Sequence, residues 1–241
     1  MRYAVMNMSK NKLTYLHFFL YVIFITAITY IDDISGLQGM LTLPVLLLIS
    51  FFFVKKPLGN ILPNTRKYNN LPYIITGIIS VIIFHAFFVI TVFSSQDDKL
   101  FFYEENDTLF LIKMFALFPF MEELVFRRCF LDSLLKHSSL KKAVFLTSLG
   151  FALCHIFSDS GLLPVFMVSV FLGLVYTETK SLLLCFLFHS LANILAYMVS
   201  IYRKDLLFKF STEWSVIIIV FSLLLIVASA IAIFKNTAKD K

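Results

Sequence analysis

Charge is what this sequence has least of. Only 15% of its 241 residues are Asp, Glu, Lys or Arg, whereas 59% are hydrophobic. A soluble domain usually carries about a quarter charged residues, so a water-exposed globule is excluded as the working class. Cysteine is nearly absent too. Cys129, Cys154 and Cys185 lie in or beside apolar stretches with no CxxC spacing. That excludes a disulfide framework and a thiolate metal site, and leaves reduced packing residues. There is no internal repeat, low-complexity tract or polar domain, and no HExxH zinc helix.

What fills the chain instead is long apolar runs, with 29 Phe among them. Eight blocks stand out, at 13–31, 37–54, 72–93, 109–131, 143–157, 162–176, 182–202 and 214–234. Most approach the roughly 20 residues that a bilayer-spanning helix needs. The expected fold is all-α, a polytopic transmembrane helical bundle of about eight spans forming one membrane domain over residues 1–241, with the lipid bilayer as solvent. Arg2, Lys10 and Lys12 precede the first block as in a signal peptide. The block is long for one and lacks a small-x-small cleavage site, so it reads as a retained span.

The net charge is +6. Nucleic-acid binding is one reading of a basic chain, but topology explains the charge better, because Lys and Arg collect in cytoplasmic loops. With the amino terminus inside, only Lys99, Arg203, Lys204 and Lys209 fall outside, and Lys113 falls within a span. Both termini are therefore expected in the cytoplasm, with no nucleic-acid partner. Trp214 suits an interfacial anchor, and the acidic stretch from Asp97 to Asp107 a solvated outer loop.

Ionisable groups inside a bilayer are costly, so each one needs a reason. Glu122 and Glu123 sit together in the fourth block. Glu123 and Arg127 are four apart and can pair, which leaves Glu122 as the carboxylate suited to general-base work. Charges snorkelling at a helix end would explain Arg127 and Arg128, but Glu122 poorly. His155 follows Phe151-Ala152-Leu153-Cys154; alone it is more often a packing residue than a catalyst. His189 and Asn193, also four apart, share one helix face and can both donate hydrogen bonds, to an oxyanion or to a neighbouring span. Turning these side chains toward one another is the least costly way to keep them out of lipid. Such a cluster can deprotonate water and stabilise an oxyanion, with or without a metal. A proton or ion path is an equally open use of it. Lys113 is expected to snorkel, and His85 to pack or to line a substrate path.

Read in order, Glu122-Glu123-x-x-x-Arg127, Phe151-x-x-x-His155 and His189-x-x-x-Asn193 resemble the CPBP family of CAAX proteases and bacteriocin-processing enzymes, also called Abi. The run from Gly173 to Leu182 is similar to that family's third-motif region. The resemblance implies an intramembrane endopeptidase of glutamic or metal-assisted type. By it, Glu122 and His155 would activate water, His189 and Asn193 would hold the oxyanion, and Glu123 with Arg127 would support the site. Arg128 departs from the glycine common in relatives at that place. No metal is expected to be required; a zinc ion, if one is used, would draw on Glu122, His155 and His189. The expected partner is a membrane-anchored protein or peptide substrate. Small size and a Phe, Ile, Lys and Asn bias suggest a bacterial cell membrane and a role in bacteriocin self-immunity or peptide maturation. The alternatives are a catalytically silent immunity or regulatory protein acting by binding, and an ion- or proton-coupled transporter.

Depth poses a difficulty. Glu122 and His189 thread to similar levels, but His155 is three residues from Ser158 and would thread to the outer surface. The fifth and sixth blocks hold 15 residues each, about 22 Å of helix, short for a bilayer. A polar turn at Ser158-Asp159-Ser160-Gly161, sunk inside the protein beside a wet cavity, would reconcile these depths.

Overall fold

A computed structural model describes residues 2–37, 39–53, 70–92, 108–157, 161–209 and 212–239. Among these residues every regular element is helical. Eight helices correspond to the eight blocks. They are α1 (Arg2–Ser35), α2 (Thr42–Phe53), α3 (Leu71–Val92), a compound α4 running from Thr108 to Leu135, α5 (Leu140–Cys154), α6 (Leu162–Thr179), α7 (Leu182–Lys209) and α8 (Thr212–Lys239). The acidic stretch 97–107 and the turn residues 158–160 lie outside the described residues.

Among the described residues, three segments are long and apolar enough to cross a membrane: Thr14–Ser35, Leu162–Thr179 and Glu213–Asn236. The sixth block was expected to be too short. It is lengthened by Thr177, Glu178 and Thr179, and Lys180 ends it in the left-handed conformation with φ 53°. The polar composition of that last turn hid it from an apolar-run reading. Thr179 contributes a buried cap there: its hydroxyl bonds back to Val175 O and accepts from Ser181 N. Shorter apolar helices run over Thr42–Phe51, Pro72–Phe88 and Leu182–Met198.

Lipid-type and core-type faces separate clearly. On α1, Leu16, Leu20 and Ile23 are exposed while Phe18, Val22 and Ile25 are buried. On α8, Ile217, Phe221 and Leu224 are exposed while Ile226 and Ile233 are buried. A belt of large exposed apolar side chains is ruinous in water and ordinary in hydrocarbon. α8 packs on α3, α5 packs on α6 and α1, and α3 also meets α6 and α7. At the α3–α6 crossing a Cβ on Gly77 would fall 1.9 Å from the Phe171 ring, so only glycine permits that approach.

α4 is the central element. Two π-helical turns, Lys113–Leu117 and Leu124–Leu131, interrupt it on either side of the α-helical Phe118–Glu123. Seven of the eight residues from Leu124 to Leu131 are buried, all but Arg128. π turns break the simple 3.6-residue spacing and often mark functional sites. They also carry a correction: Lys113 does not snorkel to an outer surface but is buried, on the wall of the internal cavity described below.

Candidate active site

Four elements build the site. α4 supplies Glu122, Glu123 and Arg127, the end of α5 supplies His155, α7 supplies His189 and Asn193, and α6 supplies Ser169. Arg127 is fully buried. Its Nε donates to Glu123 Oε2 at 2.7 Å, its Nη2 reaches Glu123 Oε1 at 3.5 Å, and its Nη1 donates to Ser169 Oγ at 3.0 Å. The guanidinium also lies 5.5 Å from the Phe151 ring centre. A buried ion pair is tolerable only when its remaining hydrogen-bonding capacity is met, and Ser169 and Phe151 help meet it.

Glu123 has a second partner. His189 Nδ1 lies 2.9 Å from Glu123 Oε1. The sequence pairing of Glu123 with Arg127 therefore extends into a chain, Arg127–Glu123–His189, that fixes the His189 ring. Its other nitrogen, Nε2, faces Glu122 Oε2 at 3.6 Å. Across the same carboxylate, His155 Nε2 lies 3.7 Å from Glu122 Oε1. Glu122 thus stands between two imidazoles. It is 14% exposed against 1% for Glu123, so the adjacent carboxylates divide between an accessible face and a sealed one.

His155 is not within a helix as the apolar run suggested. It caps α5, with φ −105° and ψ 14°, a sparsely used region where many active-site residues sit. Its Nδ1 lies 2.8 Å from Phe151 O, and the two rings lie tilted against each other with centres 4.5 Å apart. Phe151 also meets His189 edge-on at 5.6 Å. One aromatic ring therefore braces both imidazoles and the guanidinium.

Asn193, one turn beyond His189, donates Nδ2–H to Met114 O at 3.0 Å. Glu122, His155, His189 and Asn193 all line a cavity of about 450 Å³. Ile25, Leu46 and Phe110 give it an apolar wall. That volume is typical of a ligand pocket. Asp32, Asp33, His85 and Lys113 also line it, a polar set that block-by-block reading did not assemble. Asp32 has a structural duty as well: its carboxylate accepts from Leu41 N at 3.0 Å, from Thr42 N at 2.7 Å and from the Thr42 hydroxyl, capping α2. Ser169 and Phe151 were within reach of sequence reasoning, as a polar residue in an apolar block and a motif residue given no role.

Among the described residues, no group of three or more His, Cys, Asp or Glu is arranged to hold a metal ion. The ligand types present suit zinc, and the Nδ1 contacts of both histidines resemble outer-shell support of metal-bound imidazoles. The distances, however, are those of a carboxylate facing two rings across a gap.

Fold and site together define an all-helical protein with a carboxylate–imidazole centre buried among apolar helices. Residues 104–195 match the family model described as type II CAAX prenyl endopeptidase, Rce1-like. That stretch contains all seven motif residues from Glu122 to Asn193, Phe151 among them, and it is what this part of the chain is similar to. The family is one of intramembrane proteases. No curated protein and no solved structure matches the chain.

Proposed function

We propose that this protein is an intramembrane endopeptidase in which a water held between Glu122 and His155 attacks a peptide carbonyl, with His189 and Asn193 receiving the oxyanion. The observation that carries the reading is the Glu122 carboxylate standing 3.6 and 3.7 Å from two imidazole Nε2 atoms at the wall of a cavity.

Hydrogen-bond inventory supports these roles. Phe151 O only accepts, so His155 Nδ1 carries the proton. The neutral ring then turns an unprotonated Nε2 toward the carboxylate. Two acceptors 3.7 Å apart, too far for a direct bond, fit a water that donates to both. Glu122 takes one proton as the oxygen attacks, and returns it to the leaving amine. His189 gives Nδ1–H to Glu123, which turns its Nε2 toward Glu122 and the cavity where an oxyanion would form. Asn193 has a second amide hydrogen beyond the one given to Met114 O. No step requires a metal, and undiminished cleavage in the presence of a chelator is the expected result.

The substrate proposed is a peptide bond in a membrane-associated protein or peptide. We place the chain as an eight-span bundle with cytoplasmic termini in a bacterial cell membrane, serving bacteriocin self-immunity or peptide maturation. A proton or ion path has one observation in its favour, the further ionisable groups Asp33, His85 and Lys113 on the same cavity. Comparative peptidomics of cells carrying the wild type or Glu122→Ala separates the readings. A protease leaves fragments that vanish in the variant; a binding protein or a transporter leaves the peptide profile unchanged.

A further inference from the structure

The carboxamide of Asn193 is held by an acceptor that an ordinary helix would not offer. In the first π turn of α4 the Phe118 N–H reaches back five residues to Lys113 O. In that register the next carbonyl, Met114 O, would be served by the N–H of residue 119. Residue 119 is proline, which has none. A carbonyl without a donor in a half-buried helix is costly, and here the donor comes from another helix: Asn193 Nδ2, at 3.0 Å. Because a carbonyl only accepts, this contact also decides which end of the carboxamide faces α4. The amide nitrogen does, and its second hydrogen remains for the cavity that Asn193 lines.

We propose that Pro119 is a positioning residue: by withholding an N–H at the π turn it reserves the Met114 carbonyl for Asn193 and so sets the carboxamide in its oxyanion-binding orientation. The use made of that orientation rests on the protease reading above; the orientation itself does not. Pro119 touches no reacting atom. It acts through Met114 O and Asn193, and α4 and α7 are thereby tied together at the level of the site.

The experiment uses the full chain in nanodiscs with ¹⁵N-asparagine labelling, the Asn193 signals being assigned by their loss in Asn193→Asp. In the wild type the two Nδ2 hydrogens should be inequivalent, one of them slow to exchange with water. Pro119→Ala supplies an N–H to the helix and should release the carboxamide, so that both hydrogens exchange. Equal exchange in the wild type, or unchanged Asn193 signals in Pro119→Ala, overturns the proposal; the wild-type arm holds even where the variant does not fold.

A second arm reads cleavage of a nanodisc-embedded reporter peptide bearing a prenylated cysteine near its carboxyl terminus. Pro119→Ala should lower kcat about tenfold with KM unchanged, less than the ~10²–10³ of losing an oxyanion donor outright. On an Asn193→Asp background the Pro119 effect should disappear, the signature of two residues acting as one unit. A released carboxamide with undiminished kcat overturns the catalytic use of the device. A wild type no more active than Glu122→Gln defeats the protease reading instead, while the exchange arm still decides the link between Pro119 and Asn193.

Discussion

Glu122 and Glu123 are chemically identical neighbours with opposite environments, and their substitutions should part company accordingly. Glu123 is tied to Arg127 and His189, so Arg127→Met strands a buried carboxylate. Removing one partner of a buried pair costs about 3–5 kcal/mol, and a large fall in the thermal midpoint of the purified protein is expected. Glu122→Gln keeps shape and removes the proton acceptor. Its midpoint should stay near that of the wild type while the rate falls by about 10²–10⁴. At this scale the sequence was informative wherever a charge or imidazole interrupted an apolar run, which is why Glu122, Glu123, Arg127, His155, His189 and Asn193 could be named in advance. Lys113 was misread because its place near a span's end resembles a snorkelling position, and the π turn beginning there is invisible to a 3.6-residue count. Ser169 was passed over because a serine in an apolar helix usually bonds its own backbone, whereas here it accepts from Arg127.

Helix existence was legible from hydropathy, and helix ends were not, because polar residues close or extend them. α6 gains Thr177, Glu178 and Thr179 beyond its apolar run. Its end is bound by Glu178 accepting from Asn70 Nδ2 at 2.8 Å, and Asn70 in turn accepts from Asn236 at 3.0 Å. Arg128, the residue that departs from the family pattern, is accommodated nearby: it pairs with Asp132 at 3.1 Å, and Asp132 also receives Tyr176 Oη at 2.8 Å and Lys180 Nζ at 3.2 Å. Close packing between elements yields a sharp expectation. Gly77→Ala places a methyl 1.9 Å from the Phe171 ring, within a helix crossing that cannot widen freely. Overpacking of this kind costs about 1–3 kcal/mol, to be read as a lower unfolding midpoint in detergent. Removing the α2 cap with Asp32→Ala should cost about 0.5–2 kcal/mol by the same measurement.

The whole molecule inverts the usual distribution of polarity, with an apolar exterior on α1, α2 and α8 and an ionisable centre. Composition announced that inversion, and the cost of burying charge implied that the polar residues would converge. α5 ends at Cys154 and leaves His155 on the helix cap, with its Nε2 3.7 Å from Glu122. The three free cysteines report on this architecture. Cys129 and Cys185 are sealed in the core, whereas Cys154 lies on the cavity wall. A small thiol reagent should leave the first two untouched in the native state and modify Cys154 slowly, with all three reacting after denaturation. The central claim, that Glu122 serves as the base for water at a shared carboxylate–imidazole site, is tested most directly by mass spectrometry of peptides released from a reconstituted substrate by the wild type and by Glu122→Gln, both shown to be folded. The account predicts a single new carboxyl terminus from the wild type and at least a hundredfold less from the variant, the low end of what a general base contributes (~10²). Equal cleavage by the two proteins would contradict it.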